Sequence, residues 1–108
     1  MIDTQLKRGL LEISVLSVLS KGSSHGYQMI KDLSPYIEIS ESTLYPILRR
    51  LESAGCLTAH SVAHNGRLRK IYDITPEGNA RIGEFLENWR EVIKVYNFIE
   101  EGWNSEQI

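Results

Sequence analysis

Between residues 76 and 101, Ile82, Phe85, Leu86, Trp89, Val92, Ile93, Tyr96 and Ile99 recur every three or four positions. That is the spacing of one helical face. Thr75-Pro76-Glu77 supplies an N-cap, a first-turn proline and a first-turn acid at its start. At 1.5 Å per residue such a helix is about 39 Å long, whereas a compact domain of this size has a radius of gyration near 13 Å. The helix must overhang its own body. An overhanging apolar stripe needs a second surface, most simply its twin in another copy of the chain.

The preceding residues read as three shorter helices and a hairpin. From Thr4 to Ser20, Leu6, Leu10, Ile13, Leu16 and Leu19 form one stripe, with Leu11, Val15 and Val18 as a second. A helix apolar on two sides must be covered on two sides, which adds Leu6 and Leu10 to the expected dimerisation set. Gly22 closes this helix, and a Ser from Ser23-Ser24 is expected to cap the next, His25 to Leu33, which Ser34-Pro35 stops. Tyr27, Ile30 and Leu33 fall on one face of it, so Tyr27, like Tyr72, is expected in the core.

Ser40 can cap a third helix, Glu41 to Ala54, with Leu44, Ile47, Leu48 and Leu51 as its buried stripe. Ser42, Tyr45, Pro46 and Arg49 point the other way, and Pro46 should bend the first turns. The period then becomes two. Leu57–Val62 and Leu68–Ile74 flank His64-Asn65-Gly66, a strong hairpin signal. Leu68, Tyr72 and Ile74 share one strand face; Arg67 and Arg69 share the other.

Composition narrows the function. The 108 residues suit a single core, here divided into residues 1–75 and the C-terminal helix, 76–108. One cysteine, Cys56, excludes an internal disulfide and reads as a buried structural thiol. No apolar run is long enough to span a bilayer and no signal sequence is evident, so a cytoplasmic protein with no membrane partner is expected. Neither a nucleophile–base pair nor a phosphate loop points to an enzyme, and no cofactor is implied. His60 and His64 straddle a turn with no adjacent Cys or acid, which is poor spacing for a metal.

The net charge of −2 does not advertise a nucleic-acid binder, but its distribution is uneven. Residues 40–75 carry five basic side chains (Arg49, Arg50, Arg67, Arg69, Lys70) against three acidic ones, while residues 76–108 carry three against seven. Phosphate attraction acts over roughly a Debye length, about 8 Å at physiological salt, so an acidic tail need not cancel a basic middle. Two short helices, the second with polar residues outward, suit insertion into a major groove. The expected contacts with duplex DNA are Ser40, Ser42, Thr43, Tyr45, Pro46, Arg49 and Arg50 on the third helix, and Asn65, Arg67, Arg69 and Lys70 on the hairpin. Arg pairs with guanine edges and Ser or Thr with either donor or acceptor edges. The bland alternative makes the hairpin cations a solvated edge, and a fold of this shape could also serve as a protein-interaction module that does not bind DNA.

The runs His25-Gly26-Tyr27, Ser40-Glu41-Ser42-Thr43-Leu44-Tyr45-Pro46-Ile47-Leu48-Arg49-Arg50-Leu51-Glu52, Ala54-Gly55-Cys56-Leu57 and Arg69-Lys70-Ile71-Tyr72-Asp73-Ile74-Thr75-Pro76-Glu77-Gly78 together resemble the PadR family of transcriptional regulators. The resemblance covers roughly residues 6–101, and its short C-terminal helix resembles the smaller members. It implies a mainly α winged helix-turn-helix with a small β-hairpin and a long C-terminal dimerisation helix. It further implies a homodimeric repressor on an inverted-repeat operator. Glu41 and Ser42 stand where the family often has a small or Pro residue and a Gly, which points to a different operator preference. Some small members bind flat hydrophobic drugs between subunits against a Trp, and Trp89 matches that place, which implies a small hydrophobic effector.

Overall fold

The computed structural model describes residues 3–107. The elements run α1 (Thr4–Ser20), α2 (Gly26–Leu33), α3 (Glu41–Ser53), β1 (Leu57–His64), β2 (Arg67–Ile74) and α4 (Pro76–Gln107). The three short helices, the antiparallel hairpin and the long final helix are those expected from the sequence.

One core holds the first five elements together. Leu11, Val15, Leu16 and Leu19 of α1 meet Met29 and Leu33 of α2, the α3 stripe Leu44, Ile47, Leu48 and Leu51, and Cys56, Leu57 and Tyr72 beside the hairpin. Burial of this apolar surface is the main stabilising term. The N-terminal part of the first α1 stripe is less covered: Leu6 is exposed and Leu10 only half-buried. Tyr27 departs from its expected place in the core. Its ring is more than half exposed and lies under the Lys31 ammonium, 4.8 Å from the centroid. Leu68, although on the Tyr72 side of the strand, is also exposed, because the hairpin tip extends beyond the core.

Local signals set the boundaries. Asn65 and Gly66 both have positive φ (50° and 77°), making the two-residue loop of a type I′ turn that pairs His64 with Arg67. Gly55, at φ 78°, ends α3: its N–H donates to the Glu52 carbonyl and that of Cys56 to the Leu51 carbonyl. Pro46 stays inside α3. Ser24 does not cap α2. Its backbone instead bridges β2, with Ser24 N–H donating to the Tyr72 carbonyl (3.2 Å) and Tyr72 N–H to the Ser24 carbonyl (2.8 Å). Ser40 occupies the N-cap of α3, but its hydroxyl lies 3.0 Å from the Ser42 hydroxyl and donates to that of Thr43 at 3.2 Å rather than accepting from the backbone.

Thr75 builds the corner from which α4 departs. Its N–H donates to the Cys56 carbonyl (3.1 Å), its hydroxyl donates to the Gly55 carbonyl (2.6 Å), and the same oxygen accepts from Gly78 N–H (3.2 Å). Beyond this corner α4 packs on α1, with Ile82 against the core. It then leaves the body, as its length requires. The radius of gyration is 17.1 Å and the extents are 64 × 26 × 21 Å, against about 13 Å expected of a compact chain. Asn104–Gln107 continue the helix past the last apolar repeat; Ile108 lies outside the described residues.

A Cβ on Gly78 would collide with the Cys56 carbonyl oxygen and the Ile74 side chain. Gly78→Ala should therefore destabilise the fold by roughly 1–3 kcal/mol, as overpacking does, seen as a lower urea midpoint with an unchanged slope. Gly83→Ala, in open space, should stabilise or be neutral in the same titration.

Candidate nucleic-acid interface

Ser24 settles where the hairpin stands. By pairing with Tyr72 it lays the start of α2 along the free edge of β2, and a cleft of about 580 Å³ opens between α2, α3 and the hairpin. Tyr45 forms part of its wall, with its hydroxyl so close to Gly26 that a Cβ there would lie 2.6 Å from it. Of the residues expected to meet DNA, Tyr45, Asn65, Arg67, Arg69 and Lys70 line this one cleft.

Thr43, Pro46 and Arg50 lie on the other flank of α3, in a shallower depression of about 400 Å³ shared with Thr4, Lys7 and Arg8 of α1. Arg50 is held there, its guanidinium donating to Glu12 Oε1 at 3.3 and 3.4 Å. Ser40 and Ser42 sit at the start of α3, and Arg49 is exposed on its outer surface. The expected set thus brackets one helix from both sides. Among the residues the sequence reasoning did not select, His25, Tyr27 and His64 also join the first cleft. Lys7 and Arg8, also not selected, join the second. The runs His25-Gly26-Tyr27 and His64-Asn65-Gly66 carried the signal for the first group, and the adjacent cations Lys7 and Arg8 of α1 for the second.

The electrostatics of the cleft are one-sided. Among the described residues its lining contains Arg67, Arg69 and Lys70 and no carboxylate. Burial first, then the nearby cation of Arg69 and then His64, push the His25 imidazole below its ordinary value. His60, outside the cleft, pairs instead with Asp73 (Nδ1 to Oδ2, 3.3 Å), whose other oxygen accepts from the Ser23 hydroxyl. Of the expected dimerisation residues, Ile82, Phe85 and Trp89 are half-buried, the two aromatic rings 5.8 Å apart and tilted by 40°. Leu86, Val92, Ile93, Tyr96 and Ile99 remain exposed, as do Val95, Phe98 and Trp103.

A helical pair whose second member shows a polar face, flanked by a cationic hairpin, defines a winged helix-turn-helix protein of the transcription-regulator class. Residues 15–84 match the model of the transcriptional regulator PadR-like family, and the chain belongs to that family. It is 32% identical over 81 residues to the transcriptional regulator Rv3488 of Mycobacterium tuberculosis, covering 74% of this chain and 76% of the relative. A transcriptional regulator from Clostridium thermocellum superposes with a TM-score of 0.80 at 32% identity, over 90% of this chain and 96% of the other. The PadR of Bacillus subtilis, solved in complex with operator DNA, shares the fold at 24% identity and a TM-score of 0.66, over 71% of this chain and 45% of that one. The family is one of transcriptional regulators, not of enzymes. No helix among the described residues is long and apolar enough to cross a membrane.

Tyr72 links the site to stability. Burial first, then Tyr45 and Glu52, raise its phenol above the usual value. A folded-state value above the unfolded one means stability that is whole below about pH 10 and declines as the pH rises through it. Urea midpoints measured at pH 9 and pH 10.5 should fall with pH in the parent chain and fall less in Tyr72→Phe.

Proposed function

We propose that this regulator binds an inverted-repeat operator as a homodimer and represses transcription from it. The observation that carries this is the cleft lined by Arg67, Arg69 and Lys70 without a carboxylate, set against the polar face of α3. A duplex presents just such a surface with a repeating negative charge, and Lys and Arg that neutralise phosphates release its counterions. Ser42 and Arg49 on α3 would read base edges, and Asn65 with Arg67, Arg69 and Lys70 would follow the sugar-phosphate backbone. Ser40, Thr43, Tyr45, Pro46 and Arg50 support this surface from its margins; Tyr45 acts as wall and Arg50 from its tether to Glu12.

Support for the dimer comes from α4. Val92, Ile93, Tyr96 and Ile99 are each about half exposed or more, on a helix that projects past the body. Water is a poor neighbour for a stripe of that size, and an antiparallel twin covers it at no cost in new sequence. Leu6, Leu10 and Leu86 extend the same seam. Two α3 helices related by such a dyad would meet successive major grooves about 34 Å apart. The tilted Phe85–Trp89 pair gives the seam an aromatic surface, which supports a small hydrophobic effector lodged there against Trp89.

A gel-shift titration on the promoter region of the chain's own gene, at two salt concentrations, tests the DNA reading. Arg49→Ala should cost about 1–3 kcal/mol on a selected site and relax one base preference. Arg69→Ala should weaken all sequences alike and reduce the salt slope by about 1. Retention of full affinity by both variants would mean that the assigned groove-facing surface is wrong, whereas no shift of the duplex at either salt concentration would favour the alternative, a protein-interaction module that does not bind DNA. For the dimer, Ile93→Glu should convert a two-subunit species to one in sedimentation velocity at micromolar concentration, with the circular dichroism of the helices largely kept. A parent chain that sediments as a single subunit would sink the dimer.

A further inference from the structure

His25 sits where a proton has no partner until an anion arrives. It is the residue before α2, only partly exposed, in the wall of the cationic cleft. From β1 it is faced by His64; from β2 by Arg69, with Arg67 and Lys70 farther along the hairpin and the buried Tyr72 phenol beneath. From α3 the facing group is Tyr45, and from its own helix Tyr27. Among the described lining residues none is a carboxylate. The acid nearest in sequence to the hairpin cations, Asp73, is already engaged by Ser23 and His60.

We propose that His25 is a phosphate ligand of this cleft that takes up a proton as duplex DNA enters, so that DNA binding tightens as the pH falls. The inference rests on the DNA reading given above. A phosphodiester against the imidazole opposes the cationic field there, because a negative charge enters among cations that previously stood unopposed. In the free protein burial and the charge of Arg69 push His25 toward its neutral form; the complex favours the imidazolium, which then donates to a phosphate oxygen as a charge-assisted hydrogen bond. Histidine is suited to this because its ordinary value lies near 6.5, so modest shifts in either direction span physiological pH. Binding and protonation are linked, and each must favour the other by the same factor. Between the value in the free protein and the value in the complex, each unit of pH tightens binding by up to tenfold; above the complex value the dependence vanishes.

The test measures the dissociation constant of the full chain for a fluorescent duplex from its own promoter region at pH 6.0 and pH 7.5, at fixed ionic strength. Affinity should rise several-fold at pH 6.0 in the parent chain, and this rise should disappear in His25→Gln while surviving in His60→Gln, whose imidazole lies outside the cleft. Calorimetric titration of the same duplex at pH 6.5, in two buffers of different ionisation enthalpy, should show proton uptake in the parent chain and less in His25→Gln. Circular dichroism confirms that the variant is folded. An equal pH dependence in His25→Gln and the parent, or equal proton uptake, would overturn this inference and leave the DNA reading standing. No binding of duplex at either pH would overturn the DNA reading, and this inference with it.

Discussion

Two hydrogen bonds between Ser24 and Tyr72 decide how the parts of this protein face one another. A two-stranded hairpin alone is marginally stable and has no fixed orientation. Here its inner edge is tied to the turn between α1 and α2, and the Tyr72 side chain on the same residue is driven into the core. The backbone pairing sets the height of the hairpin, and the buried ring sets its tilt. Everything that follows in space depends on that placement. The cations of β2 stand beside α3 because of it, and the same contact draws His25 into their company.

The second fixed point is the Thr75 corner. Gly55 closes α3, Cys56 turns the chain into β1, and both carbonyls are claimed by Thr75 as β2 gives way to α4. The start of the hairpin and its end are therefore fastened at one place, and the direction of α4 is set by the same bonds. Gly78 is needed there because the helix passes too close to the Cys56 carbonyl for any side chain. Regulatory fold and overhanging helix are in this way a single mechanical unit, joined through one threonine and two glycines.

Much of this was legible in the sequence where a local rule has a local cause. Asn65-Gly66 dictates a tight turn by its backbone preferences, Thr75-Pro76 a helix start, and Gly55 a helix end. What escaped depends on distant contacts or short segments. A single bridge at Ser24 has no periodicity to reveal it. In the eight residues of α2 the apolar pattern does not separate the face that buries Met29 from the one that leaves Tyr27 outside. Asn104–Gln107 lack an apolar repeat but also lack a breaker, so the helix runs on. The cations of the cleft could be listed in advance, since charges stay at the surface. Their gathering with His25, and the diversion of Arg50 to Glu12, required the fold.

The overhang of α4 also separates charge. The final third of the chain holds seven acidic and three basic side chains, and much of it lies along the projecting part of a body 64 Å long, while the cationic cleft belongs to the compact part. Such a molecule carries a permanent electric dipole. A polyanion would exert torque on it as well as attraction, turning the cleft forward and the acidic arm away before contact is made. An overall charge near zero then conceals an orientation bias, and collision in the useful attitude becomes more frequent at low ionic strength than the sum of its charges would suggest.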